Sequence, residues 1–276
     1  MATLYIVPTP IGNMSDMSPH GREILQSVDF IACEDTRVGG KLCMLLDIKK
    51  PLVSYHEHNK LKSGEAILDR LKKGESCAIV TDAGTPAVSD PGEELVNLCH
   101  NNNIKVIPLA GPCAATVALS ASGLPSKRFC FEGFLPEGKK ALDEYFDSVQ
   151  KEKRTLIYYS APHDLTKTLS LLLNCFGNRR AVCCKELTKF NEKIIFSDLE
   201  QLLTTFLAAE SIKGEYVIVV EGYLTSEEDE FWYSMTVSEH VAHYTKLGLG
   251  NMEAIKQTAK DRGISKGTVY DEMINQ

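Results

Sequence analysis

Hydrophobic positions fall in short unbroken runs through the first half of the chain, at residues 4–7, 30–33, 51–54, 77–81 and 104–107. Such runs, with no alternating polar positions, are expected of parallel strands covered on both faces. Between them, residues 18–27, 60–71 and 92–101 read as helices. Strand, helix, strand in repetition predicts a parallel α/β sheet with right-handed crossovers. The rhythm changes in the second half, where residues 128–131, 155–159, 180–185, 193–196 and 215–220 read as strands and 139–150 and 164–173 as helices. Only a short polar stretch separates 180–185 from 193–196, which suits a hairpin, since a parallel pair needs a longer crossover. The pattern predicts two α/β domains: a parallel sheet over 1–123 and a mixed sheet over 124–223, joined near Gly123-Leu124-Pro125. Residues 224–276 are expected to form an acidic linker at Glu227-Glu228-Asp229-Glu230 and a small helical extension, with helices over 251–261 and 265–274 around Gly263. That outline fits a helix-turn-helix or, more simply, a packed terminal helical hairpin.

Composition narrows the function. A chain of 276 residues has room for one large domain or two, and 43% hydrophobic with 24% charged residues is ordinary for a soluble globular protein. Thirty basic against 37 acidic side chains give a net charge of −7, which excludes a generally basic nucleic-acid coat and leaves room for a local basic face. Residues 1–115 carry 11 basic and 14 acidic groups, 116–223 carry 14 of each, and 224–276 carry 5 and 9, so a polyanionic partner is expected at the middle third. No apolar run approaches the roughly 20 residues that span a bilayer. The first residues lack a basic start and break at Pro8, so no signal peptide is expected. Nine cysteines without a C-x-x-C pair read as buried free thiols of a reducing cytoplasm.

Ligands of open α/β sheets bind at the carboxyl ends of the strands. Three loops at such ends are rich in glycine and proline: Pro8-Thr9-Pro10-Ile11-Gly12-Asn13; Thr81-Asp82-Ala83-Gly84-Thr85-Pro86 with Ser89-Asp90-Pro91-Gly92; and Ala110-Gly111-Pro112-Cys113-Ala114-Ala115. Three of them at strand ends favour a shared ligand over mere turns. The chain lacks G-x-x-x-x-G-K-[ST], and no G-x-G-x-x-G follows the first strand, so the ligand is not expected to be held through phosphates. Glu34-Asp35-Thr36-Arg37 at a strand end fits either proton transfer and polar binding or a helix start with acidic residues against the dipole. Tyr55-His56-Glu57-His58-Asn59 would place alternating histidines on one side if extended, but with no third ligand at useful spacing it reads as a polar loop and no metal is expected. Lys185-Glu186-Leu187-Thr188-Lys189 reads locally as a solvated hairpin rim with two residues that could wall a pocket.

Taken in order, these loops together with Ala121-Ser122-Gly123-Leu124-Pro125, Glu132-Gly133-Phe134-Leu135-Pro136 and Gly214-Glu215-Tyr216-Val217 resemble one family. The chain is similar over residues 4–222 to the ribosomal RNA small subunit methyltransferase I family of the tetrapyrrole-methylase superfamily, the class III methyltransferases. Glu-Asp-Thr-Arg and His-Glu-His-Asn distinguish it from corrin-ring methylases, which share mainly the Asp-Ala-Gly-Thr-Pro type of loop.

The resemblance implies S-adenosylmethionine as methyl donor, a homodimer, and 2′-O-methylation of a cytidine in the decoding region of 16S small-subunit rRNA; because an acidic protein gains little from nonspecific phosphate attraction, the assembled subunit is the expected substrate. It places Pro10, Asp82, Gly84, Thr85, Cys113 and Ala114 on one side of the cofactor, and Leu187, Glu215, Tyr216 and Val217 on the other. Displacement at a sulfonium methyl gains from alignment and from a base for the hydroxyl proton. Glu34, Asp35, Glu186 and Lys189 are the candidates for that base, with Arg37 to hold a phosphate or the base, and the 34–37 cluster ranks first. A lysine base would need a depressed pKa. Two departures weaken the expected RNA contacts: Pro136-Glu137-Gly138-Lys139-Lys140 shortens the family's basic run, and Tyr159-Ser160-Ala161-Pro162-His163-Asp164 alters its serine/proline-histidine motif. A small-molecule methylase acting on a tetrapyrrole-like acceptor is the alternative, and a non-catalytic cofactor-binding module a more distant one.

Overall fold

The computed structural model describes residues 2–224 and 230–274. One compact unit ends at Gly222 and a second begins at Tyr223. The first unit contains two five-stranded sheets. In the first sheet β1 (Thr3–Ile6), β2 (Phe30–Cys33), β3 (Leu52–Ser54), β4 (Cys77–Val80) and β5 (Lys105–Pro108) lie in the order β3-β2-β4-β1-β5, every pair parallel. All residues of β2 and β4 are buried, which is why their sequences are unbroken apolar runs. Alternate residues serve opposite faces: Leu4 and Ile6 pack with Ile67, Leu71 and Leu95 of helices α3 (Lys60–Lys72) and α4 (Glu93–Asn101). Ile31, Cys33, Ala78 and Val80 pack on the other face with Leu25 and Cys43 of α1 (Pro19–Ser27) and α2 (Thr36–Leu45).

The second sheet is mixed. β6 (Phe129–Gly133), β7 (Thr155–Ser160), β8 (Arg180–Lys185), β9 (Lys193–Asp198) and β10 (Tyr216–Val220) lie in the order β6-β7-β10-β8-β9. Only β6 and β7 run parallel, and the hairpin read from the sequence pairs Arg180 with Asp198 through Lys185 with Lys193. Helices α7 (Leu165–Phe176) and α8 (Leu199–Leu207) cover one face; α6 (Lys139–Val149) adds Tyr145 and Phe146 there. The other face is covered by α5 (Ala114–Ser122), through Ala115, Ala118 and Leu119. Although α5 follows the last strand of the first sheet, it builds the core of the second. The adjacent Cys183 and Cys184 are buried on opposite faces of β8. All nine cysteines are free thiols, six buried and Cys113, Cys130 and Cys175 half-buried.

Helices α5, α8 and α9 (Val237–Lys246) have no counterpart in the sequence pattern, and α2 has only the helix start that 34–37 offers as one of two readings. Gly39 and Gly40 disguise α2, yet a side chain at Gly39 would meet Cys33 Cβ and Sγ at 2.9 Å, so the glycine is what lets the helix lie against β2. The histidine segment is a turn and not extended: the His56 N–H donates to Asn59 Oδ1 at 2.8 Å at the start of α3.

The second unit holds α9, α10 (Asn251–Asp261) and α11 (Lys266–Ile274) around Val241, Ala254, Ile255 and Val269. A capping box of Thr236 and Glu239 starts α9. The Arg262 guanidinium donates to the carbonyls of Met235 (2.5 Å) and Trp232 (3.1 Å). Glu227, Glu228 and Asp229 of the acidic linker lie outside the described residues. Among the described residues no helix is long and apolar enough to cross a membrane.

Candidate functional site

Because β4, β1 and β5 are neighbours, their carboxyl ends bring the three glycine- and proline-rich loops side by side. Thr9 and Gly84 exchange backbone hydrogen bonds of 2.8 and 3.1 Å, and Thr9 Oγ1 donates to the Thr81 carbonyl at 3.1 Å. Thr85 Oγ1 donates to the Pro112 carbonyl at 2.8 Å, tying the second loop to the third. Ala87 and Ser89 have φ of 64° and 65°, a left-handed backbone that side chains rarely adopt and that structures retain where a loop is shaped for binding. Opposite these loops stand the ends of β7 and β8 and the start of β10. Between the two sets lies a cleft of about 480 Å³. That volume is in the range of small-molecule and cofactor sites.

The first-sheet side of the cleft is acidic. Glu34, Asp82 and Asp90 all line it. Thr81 Oγ1 donates to Glu34 Oε2 at 3.0 Å, and the Asp35 N–H donates to Asp82 Oδ1 at 3.3 Å. Burial, reinforced by the neighbouring charge of Glu34, pushes the Asp90 carboxyl up to about 6. Burial also raises Asp82. Asp35 has a different role. It caps α2 by accepting from the Arg37 N–H at 2.7 Å and is paired with the Arg37 guanidinium at 2.5–3.1 Å. Those bonds hold its carboxyl down to about 2, too weak a base to collect a hydroxyl proton efficiently. The Arg37 side chain is 89% exposed.

The second-sheet side is organised by an ion-paired loop. Lys189 Nζ donates to Glu186 Oε1 at 2.9 Å and to Glu215 Oε2 at 3.0 Å, and the Glu215 N–H donates to Glu186 Oε1 at 2.9 Å. Burial pulls Lys189 down, but the two carboxylates outweigh it and leave its pKa raised. The Lys189 bond holds Glu186 below the usual carboxylate range. Lysine as a neutral base is therefore disfavoured here. The loop approaches the first sheet closely: a Cβ on Gly12 would sit 2.4 Å from Lys189 Cγ and 2.9 Å from Thr188 Oγ1, so only glycine fits.

Of the residues expected to hold a cofactor, Asp82, Gly84, Thr85, Cys113 and Ala114 line the cleft from one side and Leu187, Glu215, Tyr216 and Val217 from the other. Pro10 does not line it and follows Thr9 of the Thr9–Gly84 bridge in the chain. Of the catalytic candidates Glu34 lines the cleft; Asp35 and Glu186 adjoin lining residues in the chain, while Arg37 is ion-paired to Asp35 and Lys189 to Glu186 and Glu215. The sequence reading left out Asp90, Phe134 and Tyr159. The Tyr159 hydroxyl accepts from the Ala115 N–H at 3.2 Å, and its ring packs edge-on against Phe131 and Phe134. Asp90 stood in a quoted motif, Ser-Asp-Pro-Gly, and the carboxylate itself was the available signal. Tyr159 heads the Tyr159-to-Asp164 stretch, but a tyrosine ending a strand carries no sign by itself that it lines a cleft.

Comparison with known proteins agrees with this geometry. Residues 3–203 match the family described as tetrapyrrole (corrin/porphyrin) methylases. Ribosomal RNA small subunit methyltransferase I of Bacillus subtilis strain 168 is 44% identical over 274 residues, covering 98% of this chain and 94% of that protein. The protein of the same name from Escherichia coli O157:H7 is 45% identical over 228 residues, 82% of this chain and 80% of its own length. Among solved structures, diphthine synthase superposes with a TM-score of 0.63 at 14% identity over 80% of this chain and 90% of its own. Uroporphyrin-III-C-methyltransferase from Thermus thermophilus superposes with a TM-score of 0.57 at 18% identity over 80% and 94%. At such identities the superpositions speak for the fold alone.

The cleft offers what S-adenosylmethionine needs. Asp82 suits its cationic groups, and the start of α5 at Cys113 and Ala114 suits its carboxylate. Ile11, Leu187 and Val217 give the apolar wall an adenine ring requires. The chain belongs to the tetrapyrrole (corrin/porphyrin) methylase family, whose methyl donor is S-adenosylmethionine.

Proposed function

We propose that the chain is an rRNA methyltransferase that methylates the ribose 2′-oxygen of a cytidine in the decoding region of 16S small-subunit rRNA. The observation that carries this reading is the pairing of a methylase cleft with the 34–37 and 186–189 loops, in a chain so similar to proteins called ribosomal RNA small subunit methyltransferase I. On this reading the protein works in the cytoplasm as a homodimer on the assembled small subunit, with residues 1–123 and 124–223 as the two lobes around the cofactor and 224–276 as an extension.

When bound, S-adenosylmethionine supplies a methyl group on a positively charged sulfur. The chain supplies orientation and a proton acceptor. Asp82, Gly84, Thr85, Cys113 and Ala114 hold the donor from the first sheet, and Leu187 and Glu215, Tyr216 and Val217 from the second. The Lys189 ion pairs fix the second wall, so the donor is aligned without rearrangement. The 2′-hydroxyl proton passes to the Glu34–Asp90 carboxylate pair, because a carboxyl near pH 6 is ionised at neutral pH yet basic enough to accept a proton. Arg37, exposed beside this pair, meets a phosphate of the substrate strand.

The test is transfer of labelled methyl from S-adenosylmethionine to small ribosomal subunits lacking the modification, followed by mapping of the methylated nucleotide. Label on a decoding-region cytidine ribose is the expected result. Label on a precorrin and none on subunits overturns the reading and makes the chain a small-molecule methylase.

A further inference from the structure

At the end of the second sheet remote from the cleft, the chain forms a concavity of about 700 Å³ walled by Lys127, Arg128, Lys151, Lys153, Arg154 and Glu152. Five cations face one carboxylate in a protein of net charge −7. The place is set by the fold: β6 and β7 run parallel with Phe129 beside Thr155, so the segments leading into both strands lie together. Thr155 Oγ1 clamps them by donating to the Pro125 carbonyl at 2.6 Å. Arg154 takes up the single carboxylate, with bonds of 2.8 and 2.7 Å to Glu152. Lys127, Arg128 and Lys153 are exposed and, among the described residues, make no ion pair with a carboxylate. Like charges held together repel, and a bound polyanion relieves that repulsion.

We propose that this concavity binds the phosphate backbone of the substrate RNA, as a second contact remote from the reacting ribose. The proposal rests on the rRNA reading above. The cleft takes Phe134, just past the carboxyl end of β6, and Tyr159 to Pro162 at that of β7. The concavity takes the opposite ends of the same two strands. At about 3.3 Å per residue, the six residues of β7 separate the sites by roughly 17 Å. A cofactor-sized acceptor in the cleft does not span that distance, and a polynucleotide does. The lining also argues against a bilayer: among the described residues Pro125 is its only apolar residue, and membrane-surface sites need larger apolar anchors. Arg128 offers the planar fork that pairs with phosphate, and the two lysines act as point charges.

The experiment compares the full chain with K127Q/R128Q/K153Q and with K62Q/K72Q/K73Q, a control of equal charge change on exposed positions of α3 and its C-cap. Binding to small subunits and to a decoding-region rRNA fragment is measured across a salt series, beside methyl transfer and S-adenosylmethionine affinity. Neutralising the concavity weakens RNA binding about tenfold or more near 0.1 M salt and flattens the log K against log salt slope by about 2, at 0.7–0.9 per phosphate contact. The KM for subunits rises in step, and kcat, cofactor affinity and Tm stay at the parent values. Equal binding and slope in both triple variants overturn the proposal. So does capture of phosphatidylserine vesicles or polyglutamate through these residues as tightly as RNA. Should the parent bind RNA but transfer no methyl to it, the rRNA methyltransferase reading falls while the same binding curves still decide the concavity.

Discussion

Two groups of carboxylates border the cleft and reach opposite electrostatic states. On the first-sheet side Glu34, Asp82 and Asp90 stand together, and the arginine nearest in sequence is committed to Asp35. Burial and mutual repulsion raise Asp90 to about 6. On the second-sheet side Glu186 and Glu215 share Lys189, and Glu186 is held below the carboxylate range. The same kind of group keeps a raised proton affinity where no cation answers it and becomes a structural tie where one does.

The sharpest way to break this comparison is Asp90→Asn. It is expected to lower kcat by about 10²–10⁴-fold, the usual worth of a general base. In the parent, activity falls as pH drops through about 6, and this limb disappears in the variant. Stability moves the other way. A carboxyl whose pKa is raised by folding favours the native state while protonated, and that contribution is lost as pH rises from the ordinary carboxylate range through about 6. Asp90→Asn therefore raises Tm at pH 7 and changes it little near pH 4. Glu34→Gln removes a repelling neighbour, so the limb moves to lower pH. A limb left at about 6 in both variants sinks the assignment of this pair.

Lys189→Gln probes the other side. It leaves Glu186 and Glu215 repelling each other beneath Leu187, and calorimetry is expected to show about tenfold weaker S-adenosylmethionine binding, or about 1.4 kcal/mol. The pH limb near 6 stays in place, because Lys189 does not accept the proton. Tyr159→Phe leaves the Ala115 N–H, buried at the start of α5, without its acceptor, which costs about 1–2 kcal/mol in urea unfolding. Arg37→Ala is the mildest: the KM for subunits rises a few-fold, while Tm and cofactor affinity hold.

The strands were legible because burying both faces of β2, β4 and β10 demands unbroken apolar residues, and β8 was read to the residue. The missed helices have different causes. Gly39 and Gly40 lower the helix propensity of α2, but packing against Cys33 overrides it. Helix α5, Ala-Ala-Thr-Val-Ala-Leu-Ser-Ala-Ser, is too small-residue and apolar throughout to show a polar face. The tail carried two expected helices, α10 and α11, and a third, α9, whose capping box is visible only in hindsight at Thr236 and Glu239.

Two sheets, and glycine- and proline-rich loops at the strand ends without phosphate-binding glycine motifs, are legible in the chain alone. Apolar runs, turn residues and ordered motifs are local properties. Which carboxylate meets a cation follows from the folded arrangement: Asp35 with Arg37, Glu186 and Glu215 with Lys189, Asp90 with neither. Likewise, only parallel pairing of β6 and β7 gathered Lys127, Arg128 and Lys153 into one basic concavity. Proton affinity and electrostatic attraction depend on burial and on distances between groups far apart in the chain, and periodicity along the sequence does not encode either.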